Sequence, residues 1–125
     1  QWLEQPLPPS DHAGLLALGR RLPVALDESL RHPSGLPPGW SGWLVHKPAL
    51  EGDPRPKLLQ LKQGAAKQMV SSALESGIGA RAVAHMAALA SRGPTPCAAG
   101  LAPGWGASGD LASTIPQQVW EAAGS

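Results

Sequence analysis

Four short apolar runs, each of which ends in polar residues, constrain the fold of this chain more than any other feature. They occupy residues 2–4, 24–28, 43–47 and 68–72. Apolar runs without polar alternation are typical of strands buried on both faces of a parallel sheet. A fifth and weaker candidate, which contains two alanines, occupies residues 97–101. Because the intervening segments are long enough to cross back over a sheet, the sequence predicts an α/β fold with parallel strands and right-handed connections.

Three of the intervening segments are predicted to be helices. Residues 78–91 carry apolar side chains at near-helical spacing, and Gly77 and Gly79 leave room for a tight entry into that helix. Residues 55–66 place leucines inward and tolerate proline in their first turn. Residues 10–19 begin with a serine and an aspartate, both of which can cap a helix.

Glycine and proline are abundant in the remaining segments. The chain of 125 residues contains 15 glycines and 14 prolines beside a hydrophobic share of 42%. This content stays below the roughly 25–30% of glycine plus proline that favours disorder, so we expect an ordered chain that is rich in loops. Residues 32–42 are predicted to form an irregular crossover. The tail after Gly100 is predicted to be loop-like, with a short helix near Gln117.

Charge and cysteine content exclude several classes of protein. The net charge is +1 and the sequence has no basic block, which argues against a nucleic-acid partner. The chain has neither a run of roughly 18 apolar residues nor the start of a signal peptide, so no membrane partner is expected and the predicted location is cytoplasmic. A single cysteine, Cys97, can form neither an intrachain disulfide nor a cysteine-based zinc site.

Chemically capable side chains stand at the ends of the first three runs. Glu4, Asp27 and Lys47 follow one another at the spacing of one βα unit per step. Because the carboxyl ends of parallel strands meet at one edge of a sheet, these side chains are predicted to converge there. Two carboxylates can bind a hard cation such as Mg²⁺, and a lysine can stabilise developing negative charge or move a proton. Helix capping or simple ion pairing is the structural alternative for these residues.

The residue identities in four segments resemble those of a known family. Residues 2–7 (WLEQPL), 25–30 (ALDESL), 45–54 (VHKP followed by GDP) and 71–79 (SSALESGIG) occur in this order. Together they resemble the carboxyl-terminal half of the barrel of the enolase superfamily. The third and fourth segments resemble the o-succinylbenzoate synthase branch more than the racemases and epimerases. The resemblance extends to about Leu111.

This resemblance implies roles for the residues at the strand ends. Glu4 and Asp27 match two of the three Mg²⁺ ligands, at the ends of the fourth and fifth barrel strands. Lys47, which ends the sixth, matches the lysine that faces the reacting ring and stabilises the enediolate intermediate. The positions that match substrate-binding residues are Ser71, Ser72 and Ala73, through their backbone N–H groups, and Gly100.

For each of three further residues near these strand ends, two alternative roles are considered. Glu28 and Glu75 are expected either to hydrogen-bond Lys47 or a metal ligand, or to order their own loops. Trp105, in the Gly/Pro-rich tail, is expected to pack, with lining of the pocket as the alternative.

The resemblance also implies what the whole enzyme contains. Residues 1–125 would form the carboxyl-terminal portion of a single barrel domain, about strands four to eight. The Lys-x-Lys pair that supplies the catalytic base, the first metal-ligand aspartate and the capping domain would precede Gln1, so the isolated chain is expected to be inactive. The implied reaction is the dehydration of 2-succinyl-6-hydroxy-2,4-cyclohexadiene-1-carboxylate to 2-succinylbenzoate in menaquinone or phylloquinone biosynthesis. The implied partner is a small carboxylate substrate.

Two alternative functions remain at this point. The first is a racemase or epimerase of N-acylamino acids or dipeptides from the same superfamily. Those branches carry an Asp-x-Asp pair after the eighth strand, and residues 100–110 contain none. The second is an inactive, truncated unit with a structural or binding role. The sequence does not indicate an oligomeric state.

Overall fold

The fold is built on a parallel sheet, seen in a computed structural model that describes residues 2–102 and 104–124. Its strands are β1 (Leu3–Glu4), β2 (Val24–Leu26), β3 (Trp43–His46) and β4 (Gln68–Val70). They form one four-stranded sheet in the order β1-β2-β3-β4, and every neighbouring pair is parallel. The predicted α/β class with parallel strands is confirmed, and the arrangement is compatible with part of a β/α barrel.

The fifth apolar run does not form a strand. Residues 97–101 make only one parallel bridge, between Gly100 and Ser71. The amide of Gly100 donates to the carbonyl of Val70 at 3.0 Å, and the amide of Ser72 donates to the carbonyl of Gly100 at 2.9 Å. The run is too poor in β-branched side chains to extend this pairing, and prolines precede it. The expectation of a fifth strand is therefore wrong.

Helices connect the strands and pack against the sheet. They are α1 (His12–Gly19), α2 (Arg55–Lys62), α3 (Gly77–Ala90) and α4 (Pro116–Ala123). Single 3₁₀ turns follow β2 and β3 and precede α4, at Glu28–Leu30, Pro48–Leu50 and Gly109–Ala112. The three predicted crossover helices are present, and α4 lies where a short helix was predicted in the tail. No helix among residues 2–102 and 104–124 is long and apolar enough to span a membrane.

Capping side chains and glycines set the helix boundaries. Asp11 caps α1 by accepting a hydrogen bond from the amide of Gly14 at 2.9 Å. Ser76 caps α3, so this helix begins at Gly77 and includes the glycines that were expected to precede it. A Cβ at Gly77 would collide with the backbone carbonyls of the last 3₁₀ turn, which explains glycine there. α2 ends at Lys62, earlier than predicted, and Gly64 follows in a left-handed conformation.

Two apolar clusters hold the helices against the sheet. Buried residues of the first cluster are Leu61, Val70, Val83, Met86 and Ala87, from α2, β4 and α3. Those of the second are Leu15, Val24 and Leu26, from α1 and β2, with Trp40 and Leu44 packed against them. The first cluster therefore joins β4 to α2 and α3, and the second joins β2 to α1.

Candidate active site

The ends of the first three strands bring a carboxylate pair and a lysine together. Lys47 Nζ forms a short ion pair with Asp27 Oδ2 and lies 3.7 Å from Glu4 Oε1. The Asp27 side chain is 1% exposed, that of Lys47 23% and that of Glu4 45%. Glu4, Asp27 and Lys47 therefore share one charged cluster at the carboxyl edge of the sheet. The burial increases from Glu4 to Asp27, so the two carboxylates face different amounts of solvent.

Arg31 completes the charge balance of this cluster. Its Nη1 atom donates to Asp27 Oδ1 at 2.7 Å, so both oxygens of Asp27 are paired with cations. The 3₁₀ turn after β2 carries Arg31 back toward the strand end. Sequence reasoning missed Arg31, although its position four residues after Asp27 was a usable signal. Two carboxylates and two basic side chains make the cluster as a whole close to neutral.

Gln5 joins the ends of β1 and β2. Its side-chain oxygen accepts hydrogen bonds from the amides of Asp27 and Ser29, each at 3.2 Å, and from the Ser29 hydroxyl at 3.1 Å. Gln5 adopts a positive φ of 37°, an uncommon backbone conformation for a residue with a side chain. This network fixes the backbone from which Asp27 projects. Sequence reasoning did not assign a role to Gln5.

The carboxylates around Lys47 keep it charged. Burial alone would lower the pKa of Lys47, but the hydrogen bond from Lys47 to Asp27 and the charge of Asp27 oppose that effect. The charges of Glu4 and Glu28 add to them, and the pKa of Lys47 is raised above its ordinary value of 10.5. Lys47 is therefore an ammonium group at neutral pH. Glu28, whose side chain is exposed, acts on Lys47 through its charge.

The loop after β4 has its amides already engaged with protein acceptors. Ser71 N donates to His46 O at 2.8 Å, and Ala73 N donates to the Glu75 carboxylate at 2.5 Å. The amide of Ser72 is paired with Gly100, as described above. Glu75 is buried, so of its two predicted roles the structure supports the ordering of its own loop. A substrate carboxylate at these amides would have to share or replace their present acceptors.

A largely apolar cleft of about 610 Å³ opens beside Lys47. The other lining residues are Ala49, Leu50, Ser72, Ala73, Leu74, Ala102 and Trp105. Trp105 is 77% exposed and Leu74 is 81% exposed, so both offer free apolar surface to the cleft. The expectation that Trp105 packs is wrong, because the loop that carries it stays at the surface and turns the indole toward the cleft.

The donor set suits a hard divalent cation in part. Glu4 and Asp27 offer only oxygen ligands, and both reach the same ammonium group, as carboxylates around a shared cation do. Lys47 would have to release Asp27 Oδ2 for that oxygen to become a ligand. Across the two described stretches, no group of three or more His, Cys, Asp or Glu side chains could hold a metal ion. Glu4 and Asp27 are thus the two described side chains here that could offer oxygen ligands to such a cation.

Comparison with known proteins gives one informative similarity. No protein-family model matches the chain, and no solved structure matches it. The o-succinylbenzoate synthase of Thermosynechococcus vestitus (strain NIES-2133 / IAM M-273 / BP-1) is 38% identical to the chain over 94 residues. This match covers 69% of the chain and 29% of that protein. The chain therefore spans less than a third of the curated relative, and the similarity gives partial support to the family that the sequence motifs resemble.

Proposed function

We propose that the chain forms the carboxyl-terminal part of the barrel of a Mg²⁺-dependent o-succinylbenzoate synthase, a carbon–oxygen lyase of the enolase superfamily. The observation that carries this proposal is the meeting of Glu4, Asp27 and Lys47 at one sheet edge beside an apolar cleft. The partial similarity to a curated synthase supports it. The reaction would be the dehydration of 2-succinyl-6-hydroxy-2,4-cyclohexadiene-1-carboxylate to 2-succinylbenzoate, a step toward menaquinone or phylloquinone.

The carboxylates would hold the metal and Lys47 would act on the ring. Glu4 and Asp27 would be two of the Mg²⁺ ligands, and the bound ion would stabilise negative charge that develops on the substrate carboxylate. A base outside this chain would remove the neighbouring proton, and a proton returned to the ring hydroxyl as its carbon–oxygen bond breaks would let that group leave as water, so that the ring becomes aromatic. Lys47, charged at neutral pH, would offer its ammonium group to the ring face as negative charge develops there.

The cleft favours this reaction over that of a racemase or epimerase. Its apolar walls suit a carbocyclic ring, and Lys47 attracts a carboxylate. No acidic side chain is among the described residues that line it. Ser72 and Ala73 lie at the wall where the family resemblance implies carboxylate binding. Gly100 would keep its place beside Ser71 through the bridge between them. A Cβ added at residue 100 would lie 2.6 Å from the Ser71 hydroxyl oxygen, so this position favours glycine.

Substitution of Lys47 in the complete enzyme tests the proposal. Lys47→Ala is expected to abolish formation of the aromatic product, followed by its ultraviolet absorbance, while circular dichroism stays native. Lys62→Ala removes an exposed lysine from the end of α2 and serves as the matched control, with unchanged turnover expected. Near-normal dehydration by Lys47→Ala would refute the role of this residue. Measurable dehydration by the isolated chain would refute the proposal that further barrel strands are needed.

A further inference from the structure

The face of β3 opposite Lys47 carries a buried polar network that the proposed reaction does not use. His46 is 1% exposed, and it points away from Lys47 because side chains alternate along a strand. Its Nδ1 atom lies 2.8 Å from Glu51 Oε2, and its Nε2 atom lies 2.7 Å from Gln68 Oε1. Lys57 Nζ also approaches Nε2, at 3.1 Å. A histidine held on both ring nitrogens has a fixed orientation, so it is a rigid anchor.

Glu51 connects this anchor to Lys47. One carboxylate oxygen, Oε2, is paired with His46, and the other, Oε1, accepts a hydrogen bond from the backbone N–H of Lys47 at 2.7 Å. Glu51 follows the 3₁₀ turn Pro48–Leu50, which folds its side chain back over the end of β3. The amide of Lys47 lies one residue beyond the strand. Glu51 therefore supplies an acceptor at the point where Lys47 leaves the sheet.

The charge state of Glu51 suits this double contact. Burial alone would raise the pKa of Glu51, but the hydrogen bond and charge of His46 lower it. The hydrogen bond from the Lys47 amide and the charge of Lys57 lower this pKa further, by smaller amounts. The net result is a pKa below the ordinary value of 4.5, so Glu51 is a carboxylate at neutral pH. A carboxylate has only acceptors, so the proton in the pair belongs to His46 Nδ1. Both contacts are then hydrogen bonds to a charged group, which are stronger than neutral ones.

We propose that Glu51 is a positioning residue for Lys47. By holding the Lys47 amide against the buried His46, it fixes the backbone from which the ammonium group reaches Asp27 and the apolar cleft. The hydrogen bond between Glu51 and the Lys47 amide does not depend on the proposed function, whereas its effect on turnover rests on that function. An acid four residues after the lysine was visible in the sequence, but only the path of the 3₁₀ turn shows that its side chain returns to the strand.

Amide exchange in the chain tests the contact directly. Glu51→Ala removes both acceptors, and exchange of the Lys47 amide, followed by ¹H–¹⁵N spectra, is expected to accelerate about tenfold. Glu51→Gln keeps a side-chain oxygen for this amide, so the Lys47 exchange rate is expected to stay within about twofold of the parent. Asp53→Ala removes an exposed acid two residues further along, paired with Arg55, and is the matched control. Unchanged exchange at Lys47 in Glu51→Ala would overturn the proposal.

Turnover by the complete enzyme tests the consequence. Glu51→Ala is expected to lower kcat about tenfold with a change in KM of less than about twofold, because Lys47 is misplaced rather than lost. Glu51→Gln should restore most of kcat, and Asp53→Ala should leave it unchanged. If Glu51→Ala does not fold, Glu51→Asp replaces it, since its shorter side chain cannot keep both contacts.

The outcomes separate this proposal from the proposed function. Normal turnover by Lys47→Ala would refute the function, and the exchange rates would still decide whether Glu51 holds the Lys47 amide. Loss of turnover in Lys47→Ala, together with a Glu51→Ala enzyme that matches Asp53→Ala in kcat, would refute the positioning role alone. Faster exchange and lower kcat in Glu51→Ala, both recovered in Glu51→Gln, would support it.

Discussion

The ion pair between Lys47 and Asp27 is expected to contribute to stability as well as to chemistry. Lys47→Met removes the ammonium group and keeps the length of the side chain, whereas Asp27→Asn removes the negative charge and keeps the shape. Asp27 is 1% exposed, and it would face the interior with one cation fewer after the first change. The Arg31 guanidinium would still pair with Asp27 Oδ1 in that variant. The two variants and their combination form a double-mutant cycle.

The burial of the two side chains sets the expected magnitude. Removal of one partner from a fully buried pair costs about 3–5 kcal/mol, whereas exposed pairs contribute about 0–1 kcal/mol. The Lys47 side chain is 23% exposed, and Asp27 keeps Arg31, so the pair lies between these limits. We expect Lys47→Met to lower the free energy of unfolding by about 1–3 kcal/mol, with a coupling energy to Asp27→Asn of about 1–2 kcal/mol.

Urea unfolding of the four proteins at neutral pH measures this coupling. Each unfolding free energy comes from linear extrapolation, and equal slopes would show that the denatured states are comparable. Lys62→Met on α2 controls for the general effect of removing a lysine, and a change within about 0.5 kcal/mol is expected. A coupling energy below about 0.3 kcal/mol, the usual error of additivity, would refute the reasoning.

Two further predictions concern Glu51 and the start of α3. The pKa of Glu51 is lowered by folding, so its stabilising effect is present above the unfolded value of 4.5 and is lost as pH falls through the folded value. Below pH 4.5, the urea midpoint of Glu51→Gln should therefore fall less steeply than that of the parent, and parallel curves would contradict this. Gly77→Ala would place a Cβ on backbone carbonyls of the Gly109–Ala112 turn and its neighbour, and it should cost about 1–3 kcal/mol of unfolding free energy. Gly106→Ala, which has open space around it, should change it by less than about 0.5 kcal/mol, and equal losses would contradict the steric argument.

The sheet could be predicted because its signal is local. Each apolar run is a continuous segment, and the segments between the runs are long enough for parallel crossovers, so the four strands β1 to β4 and their parallel pairing could be predicted. The exact strand ends could not be predicted in the same way. Backbone after β2 and β3 turns at once into 3₁₀ geometry, which depends on contacts such as the one from Gln5 to the Asp27 amide. The fifth run forms no strand because it has no β-branched side chains and prolines precede it.

The site was predictable to the extent that it depends on strand ends. Parallel strands carry Glu4, Asp27 and Lys47 to one edge whatever the loops do, so their proximity followed from sequence spacing. Arg31 and Glu51 were missed because each belongs to a turn, and a turn's path decides whether a side chain returns to the strand or points into solvent. Each lies four residues after a strand-end residue, which is the spacing that one tight helical turn brings back.

The 3₁₀ turns after β2 and β3 surround Lys47, whose amide and ammonium group have different partners. Glu51 holds the amide, whereas the ammonium group is held by Asp27 Oδ2. On the proposed function, Asp27 must give this oxygen to a divalent cation, and Lys47 must then turn away from it. The nearby cleft is open to Lys47 and has apolar walls, so an ammonium group that turns into it gains a partner only when a negatively charged substrate is present. On the proposed function, Lys47 needs a fixed amide and a side chain that can change partner, and the hydrogen bond to Glu51 would keep the amide in place during that change.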